Sequence, residues 1–272
     1  MAKPNEKMAV KRLDVVLLER GLAESRARAQ ALILAGRVRV AGEVVTRPAA
    51  RVSMEAAVSI DPGPRFVSRG GEKLEAALTA FPVSIRGRVC ADVGASTGGF
   101  TDCLLQHGAA RVYAVDVGSG LLDWRLRQDP RVVVLEKTNA RYLERLAEPV
   151  SLVTIDVSFI SLKVLLPVVA GWFPPEPALG EMIALVKPQF EAGRQEAARG
   201  RGVIRDAAIH ARVLCEVMTC AARQGFGACG LIRSPRPGPK GNVEFLLWLV
   251  RGEKGQSPAT LLTPLGLGQP VV

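Results

Sequence analysis

The sequence predicts an α/β protein in two parts: a doubly wound, Rossmann-like parallel sheet over residues 65–252, preceded by a small α+β domain over residues 10–62. Three observations carry this. Beyond residue 65, short apolar β runs alternate with helical stretches, the pattern of parallel strands joined by crossover helices. A glycine-rich turn, Asp92-Val93-Gly94-Ala95-Ser96-Thr97-Gly98-Gly99-Phe100, follows one such run and opens a helix. Ahead of both, Asp61-Pro62-Gly63-Pro64 breaks the chain, because two prolines around a glycine continue neither a helix nor a central strand.

In the small domain, Leu13, Val16, Leu17 and Leu18 have helical spacing within Arg12–Arg20, and Gly21 ends that helix where a left-handed cap is cheap. Ser25 is placed to cap a second helix running to Ala35, and Gly36 stops it. Val38, Val40, Val44 and Val45 flank Ala41-Gly42 as an alternating hairpin. In the larger domain, Arg88–Asp92, Arg111–Val117, Arg131–Leu135, Ser151–Asp156, Met182–Lys187, Ala228–Ile232 and Glu244–Val250 read as strands. A ligand is expected beyond their carboxyl ends, at the switch point of the sheet. Residues 253–272 are set apart as a tail.

The composition excludes several classes. With 272 residues, 48% hydrophobic and 23% charged, the chain is neither disordered nor fibrous. Its net charge of +10 favours an anionic partner such as nucleic acid or an acidic membrane surface. The first residues hold no apolar stretch long enough for a secretory signal, so a cytoplasmic location is expected. The most apolar window, Ser151–Phe173, contains Asp156, Lys163 and Pro167, so neither a membrane span nor stable membrane association is expected. Cys90, Cys103, Cys215, Cys220 and Cys229 form no C-x-x-C pair and read as buried thiols, with no metal site. His107 and His210 read as capping or core residues, and Trp124, beside Arg125 and Arg127, as a weak candidate for stacking on RNA.

Between residues 11 and 51, nine Lys and Arg face four Asp and Glu. Arg26 and Arg28 fall in the first turn of a helix, unfavourable to its dipole unless an anion is bound beside its free N–H groups. A solvated charged face is the plain alternative. The stretch RLDVVLLERGLAESRARAQALILAGRVRVAGEVV resembles the S-four RNA-binding module, through Arg12-Leu13-Asp14, Gly21-Leu22, Ser25-Arg26 and the Val-x-Val hairpin. The resemblance implies RNA binding through Arg12, Arg26, Arg28, Arg37 and Arg39.

The glycine turn is not G-x-G-x-x-G, so the dinucleotide fingerprint fails in spacing. An acidic residue just ahead of the first glycine is instead the pattern of S-adenosylmethionine (SAM) binders. Asp92 is read as a partner for the methionine end, and Asp116, 24 residues further on at the end of the next strand, as a holder of ribose hydroxyls.

Lys73 in FVSRGGEKL, Asp156 in SLVTIDVSFISL, Lys187 in ALVKPQFE and Glu244 in GPKGNVEFLLWL stand at the ends of predicted elements, where such a site collects its chemistry. Singly, each has a plain reading as a cap or solvated charge. Together they resemble the Lys-Asp-Lys-Glu set of FtsJ-like ribose 2′-O-methyltransferases, and with the S-four module in front the chain resembles the TlyA family over about residues 10–250. That resemblance implies a SAM-dependent ribosomal-RNA cytidine 2′-O-methyltransferase, with ribosomal RNA or ribosomal subunits as partner. Lys73, Asp156, Lys187 and Glu244 fall on its catalytic set; Asp92, Gly94, Ser96, Gly98, Phe100 and Asp116 fall on its cofactor site, and Asn139 on an adenine-contacting position. Lys187 is expected to act on the acceptor hydroxyl and Lys73 to position the RNA. The family has also been labelled hemolysin, so a membrane-acting protein is one alternative; an RNA-binding assembly factor with a vestigial cofactor fold is another.

Overall fold

The computed structural model describes residues 9–175 and 180–268, apart from the side chain of Arg194. The chain divides into two compact units, with the boundary between Arg65 and Phe66.

In the first unit, β1 (Val10–Arg12) runs directly into α1 (Leu13–Glu19), followed by α2 (Arg26–Leu34), β2 (Val38–Val40), β3 (Glu43–Val44), β4 (Arg51–Ser53) and β5 (Val58–Ile60). Arg12 thus closes a strand instead of opening a helix. β1 pairs with β4, and β2 lies between β3 and β5, all antiparallel. The cap on α2 forms as the sequence indicates, with Ser25 Oγ accepting from the Arg28 N–H at 3.1 Å. Ala41 and Gly42 take φ of +51° and +88°, the paired left-handed conformation that a two-residue hairpin turn requires. Leu13, Val16, Leu17, Ile33 and Val38 form the core of this unit.

The second unit contains α3 (Gly70–Ala80), β6 (Val89–Val93), α4 (Gly99–Gln106), β7 (Arg111–Val115), α5 (Trp124–Gln128), β8 (Val132–Leu135), β9 (Leu152–Ile155), α6 (Leu162–Ala170), β10 (Glu181–Val186), α7 (Pro188–Glu191), α8 (Arg194–Arg199), α9 (Ala207–Arg223), β11 (Phe226–Arg233), β12 (Phe245–Arg251) and α10 (Pro258–Leu262). The sheet order is β11-β12-β10-β9-β6-β7-β8. The pairs from β10 through β8 are parallel, whereas β12 runs antiparallel to both β10 and β11. The reversal follows from chain length: the link from Arg233 to Phe245 is too short to hold a crossover helix.

Strand alternation builds a core on each face of the sheet. In β10, Met182, Ala184 and Val186 join Leu165, Leu214 and Val217 on one side. Ile183 and Leu185 join Leu74, Leu104 and Val112 on the other. Such two-sided burial is why these strands read as unbroken apolar runs. Residues 258–267, set apart in the sequence as tail, place Leu261, Leu262 and Leu267 in the first of these cores; residues 269–272 lie outside the described residues. Of the cysteines, only Cys90 and Cys103 are buried, and Cys215, Cys220 and Cys229 are partly exposed, a correction to the reading of all five as core thiols.

Candidate active site

The carboxyl ends of β6, β9 and β10 open into a cleft of about 820 Å³, beside the point where the strand order switches between β6 and β9. The glycine turn forms one wall, and Asp156, Ser158 and Lys187 form the floor. The start of α3 and the loop Arg236–Lys240 close it on the remaining sides.

All four residues of the Lys-Asp-Lys-Glu set line this cleft, as two ion pairs. Lys187 Nζ lies 2.7 Å from Asp156 Oδ1 and donates to Ser158 Oγ at 3.0 Å. The lysine is buried, immediately after β10, and its Nζ stands 5.9 Å from the centre of the Phe190 ring. Lys73 Nζ donates to Glu244 Oε2 at 2.6 Å, across 171 positions of sequence. Glu244 is fully buried at the start of β12, and its Oε1 has no hydrogen-bond partner among the described residues. That oxygen is boxed in by Gly238, where a Cβ would come within 2.1 Å of it.

Gly94 shows why the turn is glycine-rich. Its φ is +84°, and a Cβ there would sit 2.4 Å from the Asp156 carbonyl oxygen, so only glycine lets the turn lie against the β9 end. Ser96 is also left-handed, at φ +49°, and its N–H donates to Asp116 Oδ2 at 2.7 Å. Asp116 Oδ1 accepts from the Gly118 N–H at 2.7 Å. Gly98 caps α4 at φ +94°, and Phe100 packs from α4 into the wall of the cleft.

Asp92 is placed differently from the sequence expectation. It is fully buried, accepting from Thr101 Oγ1 at 2.7 Å and Thr154 Oγ1 at 3.1 Å, and it does not line the cleft. Burial pushes its carboxyl up to about 7, against the lowering effect of those hydroxyls. Asp92 thus faces Thr101 and Thr154, and not the cleft in which the sequence reading places a ligand. Asn139 is exposed and caps a single-turn helix, accepting from the Arg141 N–H at 3.0 Å. Neither Asn139 nor Asp116 lines the cleft itself.

In the first unit, the structure groups two of the five arginines named for RNA. Asp14 is fully buried and accepts from Arg12 Nε and Nη2, both at 3.0 Å, and from Arg26 Nε at 3.2 Å. Arg28 is exposed on the first turn of α2. Arg37 donates to the Asp61 carbonyl at 2.9 Å, and Arg39 to the Gly42 carbonyl at 3.1 Å.

Sequence reasoning passed over several residues in the cleft and beside it. Ser158 fixes Lys187; Arg69 and Lys240 line the cleft with no carboxylate partner among the described residues. Phe159, left-handed at φ +66° and 91% exposed, stands 5.0 Å from Phe190, ring centre to ring centre. The signal was available, since Ser158 and Phe159 lie in SLVTIDVSFISL and Lys240 in GPKGNVE. Trp124 is 70% exposed. Among the described residues, no helix is long and apolar enough to cross a membrane, and no three His, Cys, Asp or Glu side chains cluster as metal ligands.

Comparison with known proteins gives the family. Residues 66–251 match the FtsJ-like methyltransferase model, and residues 11–58 match the S4 (S-four) domain model. The 16S/23S rRNA (cytidine-2′-O)-methyltransferase TlyA of Mycobacterium tuberculosis is 48% identical over 242 residues, covering 88% of this chain and 89% of its own. Hemolysin A of Brachyspira hyodysenteriae is 41% identical over 238 residues, covering 86% and 98%. Among solved structures, a hemolysin-labelled chain from Streptococcus thermophilus is 41% identical, with a TM-score of 0.67, over 95% of this chain and 96% of that one.

Proposed function

Since this chain belongs to the TlyA family, an S4 domain joined to an FtsJ-like methyltransferase domain, we propose that it methylates the 2′-hydroxyl of a cytidine ribose in ribosomal RNA, using SAM. The observation that carries this reading is the pair of lysine–carboxylate bridges, Lys187–Asp156 and Lys73–Glu244, lining one cleft beside the Gly94 turn.

The residues present fit the cofactor. Asp116 spends only part of its acceptor capacity on the N–H groups of Ser96 and Gly118, and what is left suits two ribose hydroxyls. Gly94, Ala95, Ser96 and Thr97 of the glycine turn line the cleft. When bound there, SAM supplies an electrophilic methyl group on a sulfonium.

The chain's own residues do the remaining work. Methyl transfer is an in-line displacement, so the acceptor oxygen must be held in line and relieved of its proton. Lys187, anchored by Asp156 and Ser158, keeps its third N–H for the ribose oxygen and orients it, and the proton lost from that oxygen passes to the Asp156 carboxylate beside it. Lys73, held by Glu244, orients the incoming strand from the α3 side. Arg69 and Lys240 supply unpaired positive charge for flanking phosphates, and Phe159 offers a bare ring face for a base. The arginines of the first unit add affinity for structured RNA. With ribosomal RNA as its substrate, the protein acts in the cytoplasm.

The reading is tested by incubating the protein with SAM and deproteinised ribosomal RNA, then digesting the RNA to nucleosides for mass spectrometry. New 2′-O-methylcytidine is expected; a methyl group appearing only on bases overturns the proposal.

A further inference from the structure

Asp14 is an unusual residue to find at the centre of an arginine-rich RNA surface. Its carboxylate has no exposed side-chain area, whereas the side chains of Arg12 and Arg26, which it binds, are 44% and 54% exposed. It takes both Nε and Nη2 of Arg12 in a bidentate grip, Nε of Arg26 from the first turn of α2, and Nε2 of Gln30 at 2.9 Å. One buried acid thus holds two guanidiniums that arrive from different elements, the end of β1 and the start of α2.

The grip leaves donors over. A guanidinium carries five N–H groups in a fixed fork, and those not spent on Asp14, including both Nη atoms of Arg26, have no acceptor among the described residues, on side chains that are about half exposed. Planar forks of this kind match phosphate oxygens. Two free arginine side chains would each lose rotamer freedom on binding and would repel one another when brought to the same anion. Side chains already held pay neither cost at the moment of binding.

We propose that Asp14 is the positioning residue of a phosphodiester seat: from beneath, it fixes Arg12 and Arg26 as two prongs for one phosphate of the RNA backbone. This rests on the reading of the first unit as an RNA-binding module. Gln30 completes the arrangement by fixing the carboxylate's own orientation. The hydrogen bonds from Arg12, above all, keep the carboxyl ionised far below the usual acid range, so the grip persists at any pH at which the protein works.

The proposal makes a prediction opposite in sign to simple electrostatics. Asp14→Asn removes a negative charge from a surface that binds a polyanion, and counting charges alone gives tighter binding. Loss of the grip gives weaker binding.

The test is a four-member cycle on the full chain: wild type, Asp14→Asn, Arg12→Ala with Arg26→Ala, and all three changes together. Each is titrated with deproteinised 16S and 23S ribosomal RNA at about 150 mM salt. Asp14→Asn is expected to weaken binding about five- to tenfold in the wild-type background. In the background lacking both arginines it is expected to leave affinity unchanged or improve it, because nothing remains to be held. Equal or tighter binding by Asp14→Asn alone overturns the proposal, as does an equal loss in both backgrounds, which marks a folding effect. If the variant lacking both arginines binds as tightly as wild type, these residues do not contact RNA, and the underlying reading fails along with the seat.

Discussion

Lys187 Nζ and Asp156 Oδ1 meet at 2.7 Å across the ends of two neighbouring parallel strands, β10 and β9. Each residue stands one position beyond its strand; in register Ala184 is opposite Ile155, so Lys187 lies two positions past the level of Asp156 and its long side chain spans that offset. Because the lysine faces the cleft and not the glycine turn, Lys187→Ala is expected to lower methyl transfer at least about 100-fold while SAM affinity stays within a few-fold. Rates and calorimetric affinity measured on the same preparation check this; parallel loss of both would place Lys187 at the cofactor instead.

The second pair carries a structural burden as well. Glu244 is fully buried, and Lys73 is its cation. Lys73→Met strands that carboxylate, so thermal unfolding should show a loss of up to about 3 kcal/mol, several degrees in Tm. The double change Lys73→Met with Glu244→Gln should recover much of the stability and none of the activity. An unchanged Tm for Lys73→Met would mean that Glu244 is not held by this pair.

Asp116→Ala tests the cofactor site. Loss of a charged hydrogen-bond partner should weaken SAM binding by about 1.5–3 kcal/mol, read by calorimetry. Unchanged affinity would remove Asp116 from the site.

Asp92 gives a pH dependence of known sign. Burial raises its carboxyl from the usual 3.8 to about 7 in the folded protein. The folded state therefore holds the proton more tightly than the unfolded chain, and stability from this group is full below 3.8 and lost as pH rises through about 7. Asp92→Asn stays neutral throughout, so its Tm relative to the wild type should rise by a margin that grows between about pH 4 and about pH 7 and levels off above. A margin independent of pH would show that Asp92 is not the group that titrates.

The seven strands of the larger unit were legible because burial on both faces makes each an unbroken apolar run between turns, as in IALV of β10. The strands β1, β4 and β5 were not, since they are as short as β2 and β3 but lack the glycine turn that marks that hairpin. The reversed direction of β12 has no signature in composition; it is set by the length of the connection before it. At the site, strand ends pointed to Asp156 and Lys187, but the contact between Lys73 and Glu244 spans most of the chain and emerges only from the fold. The side on which Asp92 points could have been read from parity. It shares a face with Cys90, two positions earlier, which belongs to the core beneath α4, and it lies opposite Thr154 on β9.

Alkaline hydrolysis of the RNA tests the central claim most directly. A 2′-O-methyl group removes the hydroxyl that attacks the neighbouring phosphodiester, so each methylated ribose leaves one gap in the hydrolysis ladder. Ribosomal RNA treated with this protein and SAM should gain such a gap at a cytidine, and RNA treated with Lys187→Ala should not. Methyl incorporation with an unbroken ladder would contradict ribose methylation.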